Sequence, residues 1–177
     1  MAKAVPQDHV DRFLRQLDER GLVDFDLEVE AIVERIMGLH RRLKRSMEET
    51  LAGFGLNYGE WKLLGALVHS DPPHRRSPGK LADHLGLSSG AMTNRLDRLE
   101  EAGFVRRLPD PSDRRGLLVE LTDEGMQIWK DSVEAQAVKE RLVTAALNER
   151  EKEQLNALLR KMMLEFERLE GPPGEDC

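Results

Sequence analysis

Small polar and basic side chains share one face of a predicted helix between residues 88 and 102. Met92, Leu96 and Leu99 form its narrow apolar stripe at i, i+4 and i+7. The positions that point away from this stripe carry no large side chain that would block approach to a groove. Asparagine and arginine also offer bidentate hydrogen bonds to adenine and guanine. The candidate DNA-reading residues on this helix are Ser88, Ser89, Gly90, Thr93, Asn94 and Arg98.

A basic turn follows this helix between two apolar runs. Residues 104–108 and 117–121 are separated by PDPSDRRG, whose prolines, aspartates and glycine favour turns. They predict a β-hairpin with Asp113, Arg114 and Arg115 at its tip. An arginine on such a tip can enter the narrow, electronegative minor groove of DNA. Ahead of the recognition helix, Ser77 can cap a shorter helix that starts at Pro78 and is stopped by Gly86. The two helices and the hairpin together predict a winged helix-turn-helix.

Amphipathic helices are predicted ahead of this region. Apolar residues recur at helical spacing over residues 8–19 and again over about 26–52. Asn57 with Glu60 resembles a capping box that opens a third helix. Residues 71–79, DPPHRRSPG, are predicted to be a loop.

Two more helices are predicted after the hairpin. Thr122 caps one that runs to about residue 146, and Asn148 opens another that reaches Leu169. Residues 171–177 are predicted to be a flexible tail. The predicted fold is therefore mainly α with a small β-hairpin wing.

The apolar stripes of the terminal helices need a surface to pack against. The 177 residues fit a single domain, in which residues 57–122 form the winged helix-turn-helix lobe. Two arrangements are possible for the helices of residues 8–56 and 123–170. They pack only within their own subunit, or they interleave as dimerisation helices with those of a second copy. We favour the homodimer, which would present two recognition helices to successive major grooves of a palindromic operator.

Charge is unevenly distributed along the chain. The whole chain has 27 basic and 33 acidic residues, a net charge of -6, which by itself argues against a nucleic-acid partner. Between Arg75 and Arg115, however, nine basic residues stand against six acidic ones, or +3, which leaves 18 against 27, or -9, elsewhere. We expect this basic lobe to orient the protein on double-stranded DNA, with binding that weakens steeply as salt rises.

The sequence lacks the residues that several other kinds of site require. The single cysteine, Cys177, cannot form an internal disulfide, and the five histidines make no HExxH helix or close cluster that would hold a metal. The sequence has no GxSxG motif and no phosphate-cradling glycine loop, so we expect no enzyme, catalytic residue or cofactor. Without a signal peptide or a run of about 18 apolar residues, we expect a cytoplasmic protein that does not bind membranes.

The run from Gly59 to Gly125 closely resembles the MarR (multiple antibiotic resistance regulator) family. The resemblance rests on KLADHLGLSSGAMTNRLDRLEEAGFVRR and, most specifically, on DRRGLLVELTDEG. It implies a homodimeric bacterial repressor or activator that binds palindromic promoter DNA. Such regulators often release DNA on binding a small phenolic or anionic ligand, or on cysteine oxidation. We expect a repressor.

The family pattern also implies roles for the residues of the wing. The arginine two residues after the wing aspartate enters the minor groove, which corresponds to Arg115, and the aspartate that braces it corresponds to Asp113. Arg114 would then contact phosphate.

The PecS-like branch of this family has an extra N-terminal helix, as residues 8–19 would be, and a ligand site between lobes. Arg95 and Arg107 match the two arginines of that site, whereas Lys62 stands where the branch has an aspartate. Some members of this branch respond to urate. The three candidate ligand-binding residues here, Lys62, Arg95 and Arg107, favour an anion such as a carboxylate instead. The alternative is that they form ordinary salt bridges with nearby acidic residues.

A winged helix can also serve as a protein-interaction module without specific DNA binding. This alternative predicts that Arg115→Ala is tolerated and that binding is insensitive to salt. The basic tip and the unobstructed face of the predicted recognition helix favour a sequence-specific transcriptional regulator instead.

Overall fold

The computed structural model describes residues 6–21, 26–113 and 115–171. Within them, seven helices and three short strands form the mainly α fold with a small β wing that the sequence predicts. The helices are α1 His9–Arg20, α2 Leu27–Gly53, α3 Tyr58–Val68, α4 Pro78–His84, α5 Ser89–Glu101, α6 Asp123–Val143 and α7 Glu149–Glu170. The strands are β1 Arg75–Arg76, β2 Val105–Pro109 and β3 Leu117–Leu121.

Polar side chains begin the helices where the sequence predicts. The Asn57 side chain accepts a hydrogen bond from the Glu60 amide, and the Glu60 carboxylate accepts one from the Asn57 amide, both at 2.9 Å. Asn148 and Glu151 form the same capping box at the start of α7. Thr122 caps α6, which ends at Val143, three residues before its predicted end.

The chain divides into two compact units, residues 1–46 and 47–177. In the first unit, Arg35 of α2 forms ion pairs with Asp8 at 2.9 Å and with Asp11 at 2.6 Å. Asp8 is the N-cap of α1, so these contacts tie the start of α1 to α2. That residues 1–177 form a single domain stays a prediction.

The second unit contains the three-stranded antiparallel sheet, in the order β1-β3-β2. Val105 pairs with Leu121 at one end of the predicted hairpin, and Pro109 pairs with Leu117 at the other. The prediction of a loop throughout residues 71–79 is wrong at Arg75 and Arg76, which form β1 beside β3, and at Pro78 and Gly79, which begin α4. Two residues are too few to show the alternation of a strand, and their pairing partners lie far along the chain.

The core of this unit lies under α5 and the sheet. The predicted inward residues of α5, Met92, Leu96 and Leu99, are each 1% exposed, as the sequence predicts. They belong to a cluster of buried residues that includes Leu63 of α3 and Val119 of β3. Burial of this stripe determines which face of α5 remains outside.

Candidate nucleic-acid interface

The outer face of α5 carries the predicted DNA-reading residues. Ser88 caps the helix by accepting a hydrogen bond from the Ala91 amide at 3.3 Å. Apart from its chain neighbours and the adjoining backbone of α5, no atom of the described residues lies within 4 Å of the position that a Gly90 Cβ would occupy, so another molecule can approach the backbone closely there. The prediction that Gly90, Asn94 and Arg98 face outward is confirmed, because all three are exposed. The other candidates on this helix, Ser88, Ser89 and Thr93, are exposed as well, and DNA contact by all six stays a prediction.

Thr93 is less free to make new hydrogen bonds than its exposure suggests. Its hydroxyl donates to the carbonyl oxygen of Ser89 at 2.9 Å, one turn earlier in α5. A threonine engaged in this way keeps acceptor capacity and its methyl group for a partner. Such a residue suits an apolar contact with a thymine methyl group better than donation to a base.

Hydrogen bonds order the tip of the wing around Asp113. The Asp113 carboxylate accepts from the Arg115 amide at 3.0 Å, and the Asp113 carbonyl oxygen accepts from the Gly116 amide at 2.8 Å. Asp113 therefore constrains the backbone of Arg115, while both residues remain exposed. The predicted site residue Arg114 lies outside the described residues.

A second aspartate closes the other side of the same turn. The Asp110 carboxylate accepts from the hydroxyl and the amide of Ser112, at 2.6 and 2.8 Å. These bonds lower the pKa of Asp110 below its ordinary value. The Asp110 amide also donates to the Gly116 carbonyl oxygen at 3.0 Å, which joins the two ends of the turn.

Two arginines of α5 contact the first turn of α3. Arg98 forms an ion pair with Glu60, with 2.9 Å between Nε and Oε1. Arg95 lies against the neighbouring residue, because a Cβ added to Gly59 would stand only 2.6 Å from the Arg95 guanidinium carbon. Sequence reasoning assigned Glu60 to the capping box and missed its contact with Arg98, since that contact depends on how α3 and α5 pack.

The three candidate ligand-binding residues lie on different elements: Lys62 on α3, Arg95 on α5 and Arg107 on β2. Arg107 is paired with acidic residues of α5, at 2.6 Å to Asp97 and through a second ion pair to Glu100. The salt-bridge alternative therefore describes Arg107. Ligand binding by Lys62, Arg95 and Arg107 stays a prediction.

The sequence also did not predict a buried carboxylate in the sheet. Glu120 of β3 is 3% exposed and stands opposite Arg75 of β1 and Arg106 of β2 in the strand register. It forms ion pairs with both arginines. Alternation along β3 hints at an outward side chain, but only the three-strand order reveals that two arginines cover it.

Within residues 6–21, 26–113 and 115–171, no three His, Cys, Asp or Glu side chains are grouped so that they could hold a metal ion. In the same ranges, no helix has the length and apolar character needed to cross a membrane. Cys177 falls outside them.

Comparisons with known proteins agree with this geometry. Residues 56–117 match the MarR family. The chain is 32% identical over 136 residues to the HTH-type transcriptional regulator PecS of Dickeya dadantii, covering 77% of this chain and 82% of PecS. It is 26% identical over 147 residues to the transcriptional repressor MprA of Escherichia coli, covering 83% of each protein.

Solved structures show the same fold. A mutant MarR from Escherichia coli complexed with operator DNA matches 80% of this chain and 99% of its own, with a TM-score of 0.58 and 28% identity. YusO from Bacillus subtilis matches 79% of this chain and 97% of its own, with a TM-score of 0.71 and 21% identity, a likeness of fold alone. By sequence and by fold, this chain belongs to the MarR family.

Proposed function

We propose that this protein is a DNA-binding transcriptional repressor that recognises a palindromic operator as a homodimer. The observation that carries the proposal is the exposed polar and basic face of α5, in the same compact unit as the braced Arg115 of the wing. Family membership supports DNA binding, since a MarR structure is solved with operator DNA. The similar protein MprA is named a transcriptional repressor, which supports repression over activation.

Each part of the surface has a distinct role in this proposal. Asn94 and Arg98 contact base edges in the major groove, where amide and guanidinium groups can make paired hydrogen bonds. Arg115 enters the minor groove, whose narrow regions concentrate negative potential. Arg114 contacts phosphate and contributes to affinity without reading sequence.

The homodimer is proposed from α7. None of its described side chains is buried, although it carries a stripe of large apolar residues at alternating spacings of four and three. Exposed apolar surface of this length is unusual in a monomer and is typical of an interface. The stripe consists of Leu155, Leu159, Met162, Phe166 and Leu169.

We also propose a small anionic or phenolic effector, bound by fewer of the three candidate residues than the sequence predicts. Arg107 already has two carboxylate partners, so an anion would have to compete with Asp97 and Glu100 for it. Arg95, which lies across Gly59, is the better candidate to meet an anion. A ligand there would regulate by shifting the spacing of the two recognition helices, because a dimer reads two half-sites only at one separation.

The test of DNA recognition begins by selecting an operator from random duplex DNA with the wild-type protein. We expect a palindromic site whose binding weakens as salt rises, measured by fluorescence anisotropy. Arg115→Ala should weaken binding by about tenfold, because a groove contact is lost. Arg150→Ala, which removes an exposed arginine from the first turn of α7, serves as the matched control and should bind like the wild type.

Two results would contradict the proposal. One is a selection that yields no enriched sequence, and the other is binding of the selected duplex by Arg115→Ala as tightly as by the wild type. Together with insensitivity to salt, they would favour a winged helix that binds a protein partner instead.

A further inference from the structure

We propose that Glu60 is a positioning residue for DNA recognition, which acts by aiming the guanidinium group of Arg98 at the operator. This inference rests on the proposed function, in which α5 reads DNA. Glu60 itself would not touch DNA, because its side chain is 2% exposed, whereas that of Arg98 is 65% exposed.

The two carboxylate oxygens of Glu60 serve different helices. Oε2 accepts a hydrogen bond from the Asn57 amide at 2.9 Å and so completes the cap of α3. Oε1 lies 2.9 Å from Nε of Arg98 on α5. Among the described residues no group donates a well-aligned hydrogen bond to Oε1, so the contact with Arg98 is an ion pair that balances the buried charge.

A buried carboxylate is a strong anchor for an arginine. An unpaired charge away from water is costly, so Glu60 favours the conformation in which the Arg98 head stays beside it. Nε is the guanidinium nitrogen that lies beside Glu60, which leaves the two terminal nitrogens for a partner. The terminal nitrogens of arginine can provide a bidentate contact to guanine.

Holding Arg98 in place reduces the cost of binding. A free arginine loses rotamer entropy when it is ordered on DNA, whereas one already restrained loses less. The neighbouring contact of Arg95 with Gly59 leaves two arginines of α5 resting on the first turn of α3. The first turn of α3 is therefore the support on which Arg98 is oriented.

The variants that test this are Glu60→Gln, Arg98→Ala and the two combined. Glutamine keeps the size of Glu60 and can still close the capping box, so α3 should keep its start. Glu101→Gln, at an exposed position in the last turn of α5, removes the same charge and is the control. Urea denaturation of each variant reports whether the fold is retained.

Binding is measured by anisotropy on the duplex that the wild type selects from random DNA. We expect Glu60→Gln to weaken binding by about three- to tenfold, the effect of releasing one ordered side chain. Arg98→Ala should weaken it by about tenfold or more. The double variant should bind no more weakly than Arg98→Ala alone, because Glu60 acts only through Arg98.

Three outcomes would overturn the inference. Additive losses in the double variant would mean that Glu60 supports the fold and does not act through Arg98. Tighter binding by Glu60→Gln would mean that Glu60 withholds Arg98 from DNA. Unchanged binding by Glu60→Gln, with Arg98→Ala still weakened, would exclude the positioning role while leaving the proposed function intact.

Discussion

At the scale of single residues, Arg35 sets the acidity of the residue that caps α1. Its hydrogen bond to Asp8, helped by backbone amides of α1, lowers the pKa of Asp8 from 3.8 to about 2. A pKa that is lower in the folded than in the unfolded state stabilises the fold above the unfolded value. This contribution is therefore present above about pH 4 and is lost as the pH falls towards 2.

We expect Arg35→Ala to raise the pKa of Asp8 back towards its ordinary value, since the largest cause of the lowering is removed while the backbone bonds remain. The measurement is an NMR titration of the Asp8 carboxyl carbon. Arg15→Ala is the control, because Arg15 donates to Gln7 and not to Asp8. An unchanged midpoint in Arg35→Ala would show that the ion pair does not form in solution.

At the scale of elements, α6 packs so closely on the wing that one position admits no side chain. A Cβ added to Gly125, in the first turn of α6, would stand 2.0 Å from the carbonyl oxygen of Phe104. It would also lie 2.9 Å from a methyl carbon of Leu121 on β3. Because the first obstacle is backbone, the helix and the sheet would have to separate.

We expect Gly125→Ala to lower the free energy of unfolding by about 3 kcal/mol, the cost of forcing extra volume into a packed contact. The measurement is urea denaturation. Gly79→Ala, in the first turn of α4, is the control, since no atom of the described residues outside the adjoining turn of α4 lies within 4 Å of its Cβ position. That change should be neutral or stabilising by up to about 1 kcal/mol. Equal stabilities for the two variants would contradict this account.

At the scale of the whole molecule, the apolar stripe of α7 bears on the oligomeric state. Leu159 lies in the stripe and is 41% exposed, whereas Leu164 is 56% exposed. At about 100° per residue, Leu164 is on the opposite side of the helix from Leu155. Leu159 inside the stripe and Leu164 outside it therefore provide a matched pair of positions on one helix.

We expect the wild type to sediment at twice the 20.2 kDa mass of one chain. Leu159→Glu should shift the protein towards the monomer, because it places a charge inside an apolar interface. Leu164→Glu should remain a dimer. Analytical ultracentrifugation at micromolar concentration distinguishes these states. Dissociation by both changes, or by neither, would place the dimer contact elsewhere.

The sequence by itself determined the features that depend on neighbours within a few residues. The capping boxes at Asn57 and Asn148 need only a partner three positions along the chain. The buried stripe of α5 follows from helical spacing, and with it the outward face that carries Asn94. The hairpin and its basic tip follow from two apolar runs around a turn-forming segment.

Only the tertiary structure decided the contacts between residues far apart in the chain. β1 exists because Arg75 pairs with Glu120, and the same pairing places that carboxylate between two arginines. The ion pair of Glu60 with Arg98 likewise depends on how two helices pack. The spacing of residues within one element does not indicate which other element will pack beside it, so these contacts could not be predicted from the sequence.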